Sequence, residues 1–150
     1  EFQKTFNLDF TILRFGSLYG PRADETNGVK KILRGAIKNN KLIYEGSKNA
    51  EREYIHVQDA AKISAEVVKK KFINKYLTLT GKRKIKVKSL LQYLSKILKV
   101  KEKIIYNNKK DNGHYEKTPY NYIPKKGKKI FSSKNRNFLK ELKDLVNELK

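Results

Sequence analysis

Hydrophobic positions along the chain follow two patterns that alternate with each other. Short runs rich in β-branched and aromatic residues, which are typical of strands, occur at 10–15, 42–44, 52–57 and 76–80. Apolar residues spaced three and four positions apart, which are typical of amphipathic helices, occur within 29–37, 58–71, 90–98 and 138–149. Because strands that alternate with helices usually build a helix-covered parallel sheet, the pattern predicts an α/β fold.

Local signals refine the ends of these elements. A short polar side chain accepts hydrogen bonds from the first amides of a helix, so Thr26 or Asn27 is predicted to cap the helix at 29–37. Ser89 is predicted to cap the helix at 90–98 for the same reason. The stretch 16–21, which contains two glycines and ends in proline, and the Lys- and Asn-rich stretch 107–137 are predicted to be mostly loop.

The predicted sheet is too small to stand by itself. A parallel sheet needs several strand–helix units to cover both faces, and the first two thirds of the chain supply only two or three short strands of that type. We therefore expect the second part of a larger sheet, in which the strand at 10–15 has neighbours from outside this sequence. Its open edge would then be covered by a missing segment or by a second copy of the chain.

Composition narrows the classes of protein that remain. The 150 residues suit one domain, and their 38% hydrophobic content is too high for a disordered chain. The absence of cysteine excludes disulfides, cysteine zinc sites and thiol catalysis. No run is apolar enough to cross a membrane, and no signal peptide is visible, so we expect a cytoplasmic protein. The first residue is Glu1 rather than Met, so we expect either a fragment or a trimmed form of a longer chain.

The charge is strongly positive, with 36 basic and 15 acidic residues and a net charge of +21. One interpretation is an anionic partner, such as nucleic acid, a membrane surface or a phosphorylated ligand. Another is compositional drift, which we favour because lysine is scattered over almost every element and only six of the basic residues are arginine. Proteins that recognise phosphates or nucleic-acid bases usually do so with arginine. A dedicated polyanion surface and a local anion site both remain open.

Common catalytic motifs are absent. The sequence contains no G-x-G-x-x-G, no G-x-x-x-x-G-K-[ST] and no H-E-x-x-H. The two histidines, His56 and His114, are far apart in sequence, and both are predicted to be structural rather than catalytic. No Tyr-x-x-x-Lys pair lies on a predicted helix. The sequence thus offers no catalytic residue and no metal site.

Two segments carry a resemblance to a known family. LRFGSLYGPR at 13–22 and LIYEGSKNAEREYIHVQDAAK at 42–62 resemble, in order and spacing, motifs of the NAD-dependent epimerase/dehydratase family, the nucleotide-sugar branch of the extended short-chain dehydrogenase/reductases. YLTLTG at 76–81 and the C-terminal amphipathic stretch resemble later parts of the family more thinly. The resemblance implies the C-terminal part of a Rossmann-like fold with its smaller substrate-binding subdomain.

The resemblance also implies roles for individual residues. Phe15 matches the aromatic residue beside the nicotinamide ring of NAD, and Ser17 stands where many members have an asparagine that contacts the nucleotide-sugar. Asn27 lies where the family places groups that touch the diphosphate, near a helix N-terminus, which favours anions. Arg52 matches the diphosphate-binding arginine, and Tyr54 follows in the same motif.

Simpler roles stay open for two of these residues. Arg52 could instead form a surface ion pair with Glu51 or Glu53, and Tyr54 could be only a packing residue. If the roles implied by the resemblance hold, the Arg52 guanidinium should face a concavity that it shares with Ser17.

The departures from the family pattern are as informative as the matches. In the family the Gly-rich NAD loop, the first strands and the catalytic Tyr-x-x-x-Lys lie upstream of the segment that matches here. The stretch GHYEKTPYNY at 113–122 stands where members often have an Arg-Pro-Gly-Asp-like stretch. We therefore expect a chain that carries the substrate side of the site, binds NAD weakly or not at all by itself, and does not turn over substrate alone.

The resemblance implies one structural unit over residues 1–150. Residues 1–24 and 52–72 would belong to the edge of the Rossmann-like sheet, and 25–51 and 73–150 mainly to the substrate subdomain. The implied partners are a nucleoside-diphosphate sugar, a missing N-terminal half or second copy, and a homodimeric complete protein. That protein would transfer hydride between a sugar carbon and NAD, and epimerase is favoured over dehydratase, decarboxylase or reductase. The alternative is a non-catalytic basic module that binds nucleic acid or another polyanion.

Overall fold

The computed structural model describes residues 1–99, 104–107, 127–132 and 136–150. His114 and most of the stretch at 107–137 lie outside this described part of the chain. The helices are α1 (Phe2–Phe6), α2 (Gly28–Asn39), α3 (Val57–Glu66), α4 (Val87–Leu98) and α5 (Phe138–Leu149), with a 3-10 turn at Lys70–Phe72. The strands are β1 (Thr11–Phe15), β2 (Ser17–Tyr19), β3 (Ile43–Glu45), β4 (Glu51–His56), β5 (Lys75–Leu79), β6 (Lys84–Lys86), β7 (Ile105–Asn107) and β8 (Lys128–Ile130).

The strands form three small sheets. The first has the order β1-β5-β8 and is entirely parallel. The second has the order β2-β4-β6, in which β2 runs parallel and β6 antiparallel to β4. The third pairs β3 with β7 in parallel. Helices alternate with these strands along the chain, so the α/β class predicted from the hydrophobic pattern is confirmed.

Two of the loops predicted from sequence contain strands. Residues 17–19 form β2 because their backbone pairs with Tyr54, Ile55 and His56 of β4. Residues 128–130 form β8 because they pair with the last residues of β5. The loop prediction for 16–21 was therefore wrong at 17–19, and the prediction of mostly loop at 107–137 did not include β8. Three-residue strands are held extended by their neighbours and have no periodicity of their own.

The two predicted helix caps have different outcomes. The Asn27 side chain accepts hydrogen bonds from the amides of Val29 and Lys30, each at 3.1 Å, so the cap of α2 is confirmed. Ser89 does not cap α4, which begins at Val87. The amide of Val87 instead donates to the carbonyl of Ala50 at 2.9 Å, so the chain before β4 takes the place of a capping side chain.

The apolar side chains form two clusters. The larger cluster lies among α2, α4 and α5, whose apolar stripes supply fully buried leucines such as Leu33, Leu91 and Leu142. The smaller cluster joins α3 to β4 and β5 through Ile55, Ile63 and Leu79. Within the described ranges, no helix combines the length and apolarity that crossing a bilayer requires.

The first two sheets meet where the end of β5 crosses β4. A Cβ on Gly16, between β1 and β2, would lie 2.5 Å from the carbonyl oxygen of Glu53. A Cβ on Gly81, after β5, would overlap the carbonyl oxygen of Tyr54. Only glycine allows the backbones to approach so closely at these two positions.

The carboxylate of Glu53 lies inside this crossing, where the side chain is only 3% exposed. It accepts a hydrogen bond of 2.8 Å from the hydroxyl of Thr80, directly after β5. Both of its oxygens lie 2.9 Å from the Lys129 ammonium on β8, which donates to them. One carboxylate thus links β4 to two strands of the other sheet.

Strand β1 lies at the edge of its sheet. It pairs with β5 on one side, and no described strand pairs with its other side. Ile12 and Phe15 are 42% and 37% exposed. The predicted open edge is therefore present in the described part of the chain, and what covers it stays a prediction.

His56 ends β4 and begins α3. Its Nδ1 accepts a hydrogen bond of 3.2 Å from the amide of Gln58, so the ring caps the helix, and its Nε2 lies 3.5 Å from a carboxylate oxygen of Glu141 on α5. Burial lowers the pKa of the ring below 6.5, and Arg136 lowers it further, whereas Glu141 and Asp59 oppose the shift. A neutral ring that caps a helix agrees with the structural role predicted for His56.

Gly81→Ala tests the close approach of the two sheets. We expect it to lower the free energy of unfolding by about 2–3 kcal/mol, because the new methyl group overlaps backbone that is held in a sheet. Gly35→Ala is the matched control: a Cβ there has no neighbour within 4 Å, and alanine in α2 should raise stability by about 0.5–1 kcal/mol. Urea denaturation measures the free energy of unfolding of both variants. Equal values for the two variants would contradict the close approach of the β5–β6 connection to β4.

His56→Asn tests the neutral cap. Since the pKa of His56 is lower in the folded chain, the unfolded chain binds the proton more readily, and the ring's contribution to stability is lost as pH falls below about 6.5. Asparagine keeps a capping acceptor but does not titrate. We expect the Tm of the wild type to fall more than that of the variant between about pH 7.5 and about pH 5.5. If the Tm of both proteins falls equally with pH, the lowered pKa of His56 is contradicted. His114 is present in both proteins, so its titration affects both Tm values alike.

Candidate functional site

A cavity of about 680 Å³ lies beside β4, between the β5–β6 connection and the first turn of α5. This volume is within the usual range for small-molecule sites, about 300–1,000 Å³. Aromatic rings and cationic side chains both reach its wall. The lining residues that matter here are Tyr19, Tyr54, His56, Arg83, Ile85 and Phe138.

The apolar part of the wall is a cluster of packed rings. Tyr54 stacks on Phe138 with ring centroids 5.2 Å apart, and Tyr19 meets Phe138 edge-on at 5.0 Å. Burial raises the pKa of Tyr19 to about 12, and the charge of Glu141 adds to the effect. Tyr19 therefore keeps its proton near neutral pH, so it is part of the wall rather than a base.

Arg136 is held by groups on α3 and α5. Its Nε lies 2.9 Å from a carboxylate oxygen of Asp59, and its Nη1 donates to Glu141 at 2.8 Å. Its Nη2 donates to the side-chain oxygen of Gln58 at 2.9 Å. Because two carboxylates balance this guanidinium, it fastens the start of α5 to α3 and adds little net charge to the cavity.

Arg52 and Tyr54 lie on the same face of β4, two residues apart. The Arg52 guanidinium donates to the backbone oxygen of Glu51 at 2.9 Å and to the Tyr44 hydroxyl at 3.4 Å. Tyr44 belongs to β3, so this guanidinium is directed towards β3. Glu53, the other acid considered as its partner, points to the opposite face and binds Lys129.

Ser17 lies beside Tyr54, because these two residues are register partners across β2 and β4. Tyr54 lines the cavity, but neither Ser17 nor Arg52 does. The shared concavity expected for Arg52 and Ser17 is therefore not this cavity. The structure does bring both residues close to Tyr54. Ser17 lies opposite Tyr54 on the neighbouring strand β2, and Arg52 lies two residues before Tyr54 on β4.

The other two predicted site residues lie at the borders of this region. Phe15 is the last residue of β1, and Gly16 separates it from Ser17. The Asn27 side chain caps α2 and also donates to the backbone oxygen of Leu18 at 2.8 Å, so it holds the loop after β2 to the helix. The roles towards NAD and the diphosphate stay predictions.

The Tyr-x-x-x-Lys spacing does occur once where the structure describes both residues. Tyr44 and Lys48 are four residues apart, but Tyr44 lies on β3 and Lys48 in the turn that follows it. Tyr93, the only tyrosine in the described helices, has Ile97 four residues later. The described helices therefore contain no Tyr–Lys pair on consecutive turns.

Sequence reasoning missed Arg83, Phe138 and Arg136 as residues of the cavity. Phe138 was identified only as part of an amphipathic stripe, which is the pattern of any packed helix. Arg136 lies in a predicted loop, Arg83 lies between predicted elements, and neither belongs to a recognisable motif. Their positions depend on the pairing of β6 with β4 and on the docking of α5.

Comparison with known proteins gives a family and a fold. The sequence profile of the NAD dependent epimerase/dehydratase family matches residues 1–76. No curated protein matches the chain by sequence. The UDP-glucose 4-epimerase of Thermotoga maritima, solved with UDP-glucose, superposes with a TM-score of 0.72 at 19% identity, over 97% of this chain and 47% of that one.

Two other solved structures superpose on this chain with TM-scores in the same range. A UDP-glucuronic acid 4-epimerase mutant from Bacillus cereus gives a TM-score of 0.78 at 16% identity, over 99% of this chain and 48% of that chain. The dTDP-glucose 4,6-dehydratase of Bacillus anthracis, solved with NAD, gives a TM-score of 0.74 at 18% identity, over 97% of this chain and 46% of that chain. This chain thus spans about half the length of these structures.

These likenesses confirm the predicted Rossmann-like α/β fold. The family profile covers more than half of the chain, including both motif segments on which the resemblance was based. The chain belongs to the NAD dependent epimerase/dehydratase family.

Proposed function

We propose that the chain is the C-terminal, substrate-binding portion of a nucleotide-sugar epimerase or dehydratase that works by NAD-dependent hydride transfer. The observation that carries the proposal is the position of the family motif on β4. Arg52 and Tyr54 occupy one face of this strand, and Ser17 lies beside Tyr54 on β2. Three residues that the resemblance assigns to the substrate are therefore neighbours.

The chemistry of these groups suits a nucleoside-diphosphate sugar. A guanidinium offers paired donors in a planar fork that matches phosphate oxygens. Arg52 is carried by a paired strand, which limits the motion of its backbone. Ser17 supplies a hydroxyl, and Tyr54 supplies an aromatic face that can pack against a sugar or a base.

The chain provides one edge of a cofactor site. Ligands of open α/β sheets bind beyond the carboxyl ends of the parallel strands, which is where β1 ends in Phe15. Phe15 would lie against the nicotinamide ring, and bound NAD would accept and return hydride from the sugar. No Gly-rich phosphate loop lies in this sequence, so we propose that NAD binds only to the complete protein.

The remaining parts of the proposal concern the complete protein. We propose that an N-terminal half covers the open edge of β1 and supplies the catalytic tyrosine and lysine, and that the complete protein is a homodimer in the cytoplasm. Two of the similar structures are epimerases, which supports an epimerase, and one is a dehydratase. In this proposal, the 150 residues alone do not turn over substrate.

The alternative is a basic module that binds nucleic acid, and one observation favours it. Three consecutive cations, Lys82, Arg83 and Lys84, reach the cavity, and the chain carries a net charge of +21. The two functions differ in their response to salt. Affinity for a polyanion falls steeply as the salt concentration rises, because binding releases many counterions. Affinity for a diphosphate bound by one or two arginines falls only slightly, because few counterions are released.

Calorimetric titration of the chain with UDP, and separately with single-stranded DNA, tests the proposal. We expect UDP to bind with a shallow salt slope, and Arg52→Ala to weaken it about tenfold through the loss of charge-assisted hydrogen bonds. Arg34→Ala, which removes an equal charge from the exposed face of α2, should have little effect. Tighter binding of DNA with a steep salt slope, and no effect of Arg52→Ala, would favour the basic module instead.

A further inference from the structure

The pairing of β4 with β6 places a second arginine beside Arg52. Arg52 is the register partner of Ile85, and Glu53 is the partner of Lys84. Arg83 directly precedes β6, and extending the register by one residue beyond the strand would place it opposite Tyr54. The overlap between a Cβ on Gly81 and the Tyr54 carbonyl shows that the β5–β6 connection passes close to Tyr54 on β4.

Residues that oppose each other in an antiparallel pair point to the same face. On this extension of the register, Arg83 would lie on the face of Tyr54 and Arg52 and would be the diagonal neighbour of Arg52. Diagonal neighbours are about 7–8 Å apart, which long side chains can bridge. Arg83 and Tyr54 also line the same cavity, so the two side chains border one space.

The Arg83 side chain is available to a ligand. It is exposed, and it forms no hydrogen bond or ion pair with any residue in the described ranges. Asp59 is the one acidic residue among those lining the cavity, and it lies 2.9 Å from Arg136. The positive charge of Arg83 is thus uncompensated within the described wall of the cavity.

We infer that Arg83 is a second diphosphate-binding residue, which acts together with Arg52 on a nucleoside-diphosphate ligand. This inference rests on the proposed function. In this inference Arg83 binds one phosphoryl group from the cavity side. The Arg52 guanidinium, which donates to Tyr44 in this structure, turns from Tyr44 to bind the other phosphoryl group. The cavity beyond Arg83, with its stacked rings of Tyr54 and Phe138, accepts the part of the ligand attached to the second phosphate.

The experiment compares UDP with UMP, which lacks the second phosphate. Both are titrated into the wild-type chain and into Arg83→Ala, Arg83→Lys and the control Lys88→Ala. Lys88 is an exposed residue near the start of α4 that does not line the cavity, so its removal reproduces only the change in net charge. Circular dichroism establishes that each variant is folded.

We expect Arg83→Ala to weaken UDP binding about tenfold and UMP binding much less. The ratio of the UMP Kd to the UDP Kd should therefore become smaller. Arg83→Lys should recover part of the loss, because it restores the charge but not the planar fork. Lys88→Ala should change both affinities slightly and equally.

Other results separate the two claims. If Arg52→Ala weakens UDP binding and Arg83→Ala does not, the inference is wrong and the proposed function stands. If Arg83→Ala weakens UDP and UMP equally, or no more than Lys88→Ala does, Arg83 contributes only general charge and the inference is wrong. If neither nucleotide binds the wild type, or Arg52→Ala has no effect, the proposed function fails and the inference fails with it.

Discussion

The rest of the structure depends on the buried carboxylate of Glu53. Removing a charged carboxylate from water is costly unless hydrogen bonds and an opposite charge replace the water, and here Thr80 and Lys129 do so. These partners come from the end of β5 and from β8, so the carboxylate is satisfied only when the two sheets cross at β4. Two glycines allow the crossing sterically, and Glu53 makes one arrangement of it favourable.

This constraint also sets the orientation of the candidate site. Successive side chains of a strand point to opposite faces, so burying Glu53 against β5 and β8 sends Arg52 and Tyr54 to the other face. A slip of one residue would bury Arg52 and expose Glu53, and it would lose both partners of the carboxylate. The same crossing lays the β5–β6 connection close to Tyr54, and Arg83 on this connection lines the same cavity as Tyr54. A structural ion pair on one side of β4 thus determines which groups a ligand meets on the other.

The parts of the fold that could be predicted are those with a local signal. The stripe at 29–37 with Asn27 before it predicted α2 and its cap, and the stripe at 138–149 predicted α5. The strands β2 and β8 and the start of α4 carry no such signal, because partner strands and the Ala50 carbonyl define them. The motifs at 13–22 and 42–62 identified the family, and they placed Arg52 and Tyr54 on one strand. Arg83 could not be found this way, since its place depends on a pairing between segments about 30 residues apart in sequence.

The open edge of β1 and the candidate site are connected through a single residue. The chain passes from the first sheet to the second at Gly16, whose amide donates to the Leu79 carbonyl at 2.7 Å. Phe15, at the end of the edge strand, and Ser17, beside Tyr54, are therefore held two residues apart by backbone bonded on both sides. An exposed apolar edge strand invites pairing with another strand. Whatever pairs with β1 would lie next to Phe15, so the strand that completes the sheet would also border the residue proposed to face the cofactor. A partner at this edge would thus lie next to the candidate site, whose described residues are already held in place by β2 and β4.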